Sequence, residues 1–209
     1  MPQFSVNHLE CIRHNNILFS NLNFNMNDGD LLQINGENGS GKSSLLQICS
    51  GLAEPSDGAV LWNDGNIRKY RYDFQKNMLY LGHKNAIKES LTVKENMEII
   101  FTLADMEKKE EFSKILKTIG LPNITNLFAR NLSAGQQRRL SLTRLLMTRS
   151  KLWLLDEPFN TLDKHGKKMI EKIIFDHCNL GGIVIFTTHQ EIEFNEYPIK
   201  NINLGNKNV

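Results

Sequence analysis

The stretch INGENGSGKSSLL, residues 34–46, decides the fold. Gly36, Glu37, Asn38, Gly39, Ser40, Gly41, Lys42 and Ser43 fit the pattern G-x-x-x-x-G-K-[ST], a loop that wraps phosphates. The apolar run DLLQIN (30–35) before it reads as a strand. GKSSLLQICSGL (41–52) after it reads as a helix, with Leu45, Cys49 and Leu52 on one side. The glycines let successive backbone N–H groups turn inward and approach a ligand closely. The helix aims the partial positive charge of its N-terminus at the phosphates. Lys42 is then placed for the β- and γ-phosphates and Ser43 for Mg²⁺, with Ser44 beside them in the nucleotide-binding segment. A chance glycine-rich turn can carry the same letters, but here a strand precedes them and a helix follows. The stretch is an NTP site.

Working outward, KLWLLDE (151–157) and GGIVIFTTH (181–189) are further apolar runs without alternation. Strands of that kind suit a parallel sheet buried on both faces, so the fold class is α/β. The tail, IKNINLGNKNV, reads as a final short strand and a polar end. From about Leu91 to Arg149 the pattern is helical instead, with apolar residues three and four apart in LTVKENMEIIFTLADMEKKEEFSKILKTIG. KKEE (108–111) there is a solvated helix face. This middle, about 86–149, reads as a helical subdomain inserted in the α/β core of a single domain spanning 1–209.

The 209 residues carry a net charge of +2, too mild an excess to argue for nucleic acid. MPQFSVNHLE has neither a basic n-region nor an apolar h-region, so secretion is not expected. No apolar run approaches the roughly 18–20 residues of a membrane span. Any membrane role must come through a partner. Cys11, Cys49 and Cys178 lack CxxC spacing, which indicates reduced, buried thiols rather than zinc ligands or disulfides.

In LWLLDEP a buried strand surfaces at two carboxylates. Asp156 is placed to hold the hydration shell of Mg²⁺, and Glu157 to orient or deprotonate an attacking water. Pro158 stops the strand and begins a turn. An acidic strand end alone would be ordinary; paired with the phosphate loop it favours hydrolysis over phosphoryl transfer to a small molecule.

NLSAGQQRRLSLTRLL (131–146) opens with Ser133 as a natural N-cap to a helical pattern. Leu132, Ser133, Ala134, Gly135 and Gln136 resemble the LSGGQ signature of the ATP-binding cassette (ABC) family. The order of phosphate loop, signature, DE strand, aspartate loop NTLD (160–163) and Thr188-His189 is similar to that family along nearly the whole chain. The resemblance implies a RecA-like parallel-sheet core with N-terminal antiparallel strands. It implies ATP and Mg²⁺ as ligands, Asp163 as the D-loop carboxylate and His189 as the switch histidine. It also implies a nucleotide-sandwich homodimer, in which Ser133, Gly135 and Gln136 contact the γ-phosphate held by the opposite subunit.

Two positions depart from the family pattern. Anchored on LTVKEN, the alignment puts His83 where most cassettes have a glutamine that senses Mg²⁺ and water; an imidazole can also hydrogen-bond such a water and titrates near neutrality. Arg13, in LECIRHNN, falls where an aromatic residue usually stacks on adenine; a guanidinium plane can stack on a base too, although an exposed arginine has the same appearance. With Ala134 and TRSKLWLLDEPF, these variants resemble the ATP-binding subunits of bacterial cytochrome c maturation, the haem-exporter ATPases. That resemblance implies integral-membrane permease partners, a peripheral place on the cytoplasmic face of the inner membrane, and haem export or haem-chaperone release as the task. Residues 83–100 would receive a partner's coupling helix. No His/Cys haem-attachment motif is present, so direct haem binding is not expected. A cassette exporting lipid, lipoprotein or drug is the nearest alternative. A soluble cassette acting on nucleic acid or ribosomes fits less well, since there is one phosphate loop and no heptad array.

Overall fold

Every residue of the strand Leu152–Leu155 is buried, and so is every residue of Ile183–Thr187. Strands with no polar face need cover on both sides, and a parallel sheet supplies it. In the computed structural model, which describes residues 3–104, 112–189 and 197–205, these strands lie at the centre of such a sheet. The elements in chain order are β1 (Phe4–Arg13), β2 (Asn16–Met26), β3 (Leu31–Asn35), α1 (Lys42–Cys49), β4 (Asp57–Trp62) and β5 (Gly65–Asn66). There follow α2 (Arg71–Lys76), β6 (Met78–Leu81), α3 (Val93–Leu103), α4 (Phe112–Thr118) and α5 (Ala134–Leu142). The last are β7 (Leu152–Leu155), α6 (Lys164–Asn179), β8 (Ile183–Thr187) and β9 (Ile199–Asn203).

The chain divides into two compact units, one of Met1–Gly82, Ser150–Pro158 and Phe175–Val209, the other of His83–Arg149 and Phe159–Ile174. The first holds both sheets. The parallel sheet has the order β6-β7-β8-β3-β9, with Leu155 level with Phe186 and Ile34 level with Thr187. The carboxyl ends of β7, β8 and β3 therefore emerge side by side, which is where ligands bind in open α/β sheets. The antiparallel sheet, β2-β1-β4-β5, turns at His14-Asn15 and at Asn63-Asp64. All four residues have positive φ (49°, 63°, 48° and 62°), the backbone that two-residue hairpins require. Phe4, Val6, Leu9 and Met26 of this sheet share one core with Leu45 and Leu46 of α1 and Leu154 and Ile185 of the parallel sheet.

The helix after the phosphate loop is shorter than its sequence pattern suggests. It ends at Cys49, and Gly51 turns the chain with φ 72°. Leu45 and Cys49 are buried as expected, whereas Leu52 lies beyond the helix and is 57% exposed. The three cysteines are buried and unpaired. Burial pushes the thiols of Cys11 and Cys49 up, and that of Cys178 to about 12, which keeps them protonated and unreactive.

The second unit is helical. Thr92 caps α3 reciprocally with Glu95, and Phe101 meets Phe112 of α4 edge-on at 4.5 Å. The sequence reading was too generous here: Gly120, Pro122 and Asn123 (φ 60°) break the pattern, and the chain stays irregular to a 3-10 turn at Ala129–Asn131. The solvated face expected at KKEE (108–111) lies outside the described residues, as do 190–196 and the polar end 206–209. No helix among the described residues is long and apolar enough to cross a membrane.

Candidate functional site

In the first unit, the phosphate loop leaves β3 and is tensioned by its own lysine. Lys42 is 6% exposed, and its Nζ donates to the carbonyls of Gly36 at 2.6 Å and Glu37 at 2.8 Å. Gly36 is required sterically. Its φ is 152°, and a Cβ there would lie 2.5 Å from the Ser40 Oγ and 2.6 Å from the Leu204 carbonyl oxygen. α1 begins at Gly41 with no side-chain cap, so the N–H groups of its first turn face outward without an internal acceptor from a capping side chain. The Ser40 hydroxyl is buried and has no hydrogen-bond partner. A loop of uncapped amides, a lysine and an orphaned hydroxyl is chemically matched to a polyphosphate.

Asp156 lies just beyond β7, 3% exposed, and its Oδ1 accepts from Ser43 Oγ at 3.2 Å and from Thr187 Oγ1 at 2.7 Å. Ser43 and Asp156 thus present a hydroxyl and a carboxylate together, the hard oxygen donors that Mg²⁺ prefers. Glu157 follows with φ 49°, a left-handed backbone unusual for a glutamate, held by its N–H donating to Thr187 Oγ1 at 3.0 Å. Its Oε1 is 3.5 Å from Nδ1 of His189, within ion-pair reach when the imidazole is protonated. The site therefore unites Ser43, Asp156, Glu157 and His189.

Thr187 is the residue that sequence reading missed. One hydroxyl serves both acidic residues, accepting from the Glu157 amide and donating to the Asp156 carboxylate. The first threonine of TTH, ending a wholly apolar strand, was the available signal. Close by, burial, and secondarily the Asp156 charge, push the Tyr80 hydroxyl up and keep it protonated, while a hydrogen bond with Gln47 works the other way. Arg13 ends β1 on the surface, with Nη2 donating to the Glu54 carbonyl at 3.3 Å.

In the second unit, the signature begins as its N-cap predicted. The Ser133 Oγ accepts from the Gln136 N–H at 3.2 Å, and the Gln136 Oε1 accepts from the Ser133 N–H at 2.9 Å. Gly135 is packed against the aspartate loop: a Cβ would stand 2.9 Å from the Thr161 carbonyl, and Thr161 itself has φ 64°. Asp163 accepts from the Gly166 N–H at 2.8 Å, closing the start of α6. His83, exposed, sits where β6 has ended and the loop toward α3 begins. Ala134 starts α5, and Leu132, just before the cap, is buried.

A phosphate loop on a parallel sheet, an Asp-Glu pair at the end of a strand two places away in that sheet and a capped signature helix define a cassette-type NTPase. Residues 19–160 match the ABC transporter family, and the chain belongs to it. Its nucleotide-binding fold is that of an ATPase, as the sequence suggested. The chain is 40% identical over 200 residues to a cytochrome c biogenesis ATP-binding export protein CcmA of Aliivibrio fischeri, covering 96% of this chain and 98% of that protein. It is 44% identical to the protein of the same description from Nitrosomonas europaea, covering 98% and 97%, and 44% identical to that from Pasteurella multocida, covering 91% and 90%. A solved ATP-binding protein of Pyrococcus furiosus shares the fold with TM-score 0.82 at 21% identity, covering 96% of both chains. The ADP conformation of an ATP-binding cassette of an ABC transporter shares it with TM-score 0.73 at 22% identity, covering 92% of this chain and 83% of that one.

Proposed function

We propose that this chain is the ATP-hydrolysing subunit of a bacterial inner-membrane ABC transporter complex, powering haem export or haem-chaperone release in c-type cytochrome biogenesis. The observation that carries this is the likeness, over nine-tenths or more of the chain, to cytochrome c biogenesis ATP-binding export proteins. In this reading residues 1–209 act as one cassette with a helical subdomain at about 86–149, held peripherally at the cytoplasmic face by integral-membrane permease subunits.

Ser43 and Asp156 would hold Mg²⁺, which when bound would neutralise charge on the phosphates. Lys42 exchanges the Gly36 and Glu37 carbonyls for phosphate oxygens. Glu157 takes the proton of the attacking water, and His189 orients that carboxylate from 3.5 Å. Ser133, Gly135 and Gln136 close the site from a second copy, and Asp163 links the two sites. His83 stands in for the glutamine that monitors water; Arg13 offers a plane to the base. His83→Gln is expected to leave ATP affinity unchanged and to alter the hydrolysis rate or its pH dependence. An unchanged rate-versus-pH profile would remove His83 from the site.

The deciding experiment is affinity purification from membranes under gentle detergent. Co-purification of integral-membrane subunits of cytochrome c maturation is the expected result. Recovery with permeases for lipid, lipoprotein or drug, or with no membrane subunit, would refute the assignment.

A further inference from the structure

The loop that follows His83 is gripped by the signature helix and its extension. Arg138, five residues into the helix capped by Ser133 and only 3% exposed, donates from Nη1 to the Asn85 Oδ1 at 3.3 Å. Arg144 donates from Nη2 to the Ala86 carbonyl at 2.9 Å. Ala86 has φ 49°, a left-handed conformation that costs an alanine and persists only where its surroundings impose it. Farther along, Asn96 of α3 is 3% exposed; it accepts from the Lys88 N–H at 2.7 Å and donates to the Lys88 carbonyl at 2.9 Å. The Glu89 and Leu91 carbonyls accept from the N–H groups of Arg130 and Ala129, and the Ala129 carbonyl accepts from the Gln137 side chain at 3.0 Å. Both ends of the loop are therefore tied to the middle of α5, at Gln137 and Arg138, and the N-terminal end of α5 abuts the Thr161 carbonyl at Gly135.

We propose that Asn85 is a positioning residue for the signature: held by Arg138, it makes the loop after His83 and the N-terminus of α5 one mechanical piece. A displacement applied at Asn85–Ala86 is passed along a rigid helix of less than three turns to Ser133, Gly135 and the aspartate loop. Neither Asn85 nor Arg138 touches the nucleotide in this scheme. Their catalytic consequence rests on the composite-site reading above; the mechanical link does not.

The full-length chain, wild type, Asn85→Ala and Asn85→Asp, serves for both arms of the test. In the first, amide hydrogen exchange is followed at Gln136 and Gln137, whose N–H groups are bonded to Ser133. Asn85→Ala is expected to speed exchange there about fivefold, the factor one hydrogen bond is worth, with β3 and β7 amides unchanged. Asn85→Asp, which keeps an acceptor for Arg138, should restore wild-type exchange. A change confined to residues 84–91, or no rescue by aspartate, overturns the proposal. In the second arm, ATP hydrolysis is measured at saturating ATP alongside nucleotide affinity. Lower kcat with unaltered affinity in Asn85→Ala, and recovery in Asn85→Asp, is the expected split. If exchange at Gln136 responds while kcat does not, the link stands and the composite site is what fails.

Discussion

Glu157→Gln is expected to slow ATP hydrolysis at least about a hundredfold, the low end of what a positioned general base contributes, without weakening ATP binding. The amide is nearly isosteric with the carboxylate, so the φ of 49° and the N–H bond to Thr187 Oγ1 survive the change. What is lost is the capacity to accept a proton from water and the charge that faces His189 at 3.5 Å. With ATP and Mg²⁺ the variant should accumulate as a dimer, visible by light scattering, because hydrolysis no longer reopens it. A variant that hydrolyses at the wild-type rate would remove Glu157 from the chemistry. One that stays monomeric with bound ATP would count against the sandwich.

Lys42→Ala is the second large effect, and its size is set by an exchange. A hydrogen bond with a charged partner contributes about 1.5–3 kcal/mol, and an ammonium facing an anionic oxygen lies at the upper end because both partners are then charged. Lys42 gives up two neutral carbonyls, those of Gly36 and Glu37, to gain anionic phosphate oxygens. Taking the two ends of that range, the net difference is at most about 1.5 kcal/mol per bond and about 3 kcal/mol for two, so ATP affinity should fall by up to roughly a hundredfold. Titration calorimetry with ATP and Mg²⁺ measures it; an affinity within about twofold of wild type, well under one hydrogen bond's worth, would sink the assignment. The substitution also removes the clamp on the empty loop, so the apo protein should melt earlier, while Lys42→Arg should melt nearer to wild type.

The parallel core was legible because β7 and β8 have no polar face at all, a pattern few other environments tolerate. The phosphate loop was legible because glycine, lysine and serine are each demanded at fixed spacing. The antiparallel sheet was not read from the residues and entered only through the family resemblance. Its long strand β1 breaks alternation at a bulge near His8, whose φ of 48° shifts the register between Val6 and Leu9. The end of α1 was missed since Leu52 fits the helical period, yet Gly51 had already turned the chain. Thr187 escaped for another reason. Its role depends on two partners some thirty residues away in sequence, Asp156 and Glu157, and only strand register brings them together.

The reciprocal cap at Ser133 and Gln136 has a bearing on how the molecule behaves when alone. A helix N-terminus with an open serine hydroxyl and idle amides is a ready site for phosphate or sulfate. Here the hydroxyl and the glutamine side chain are already committed to one another, and two of the first amides with them. The solitary subunit is thereby quiet toward adventitious anions on this face. In the proposed sandwich, selectivity would then come from geometry: a phosphate delivered on the opposite subunit's surface, at the right height above Ala134 and Gly135, would meet the remaining N–H groups.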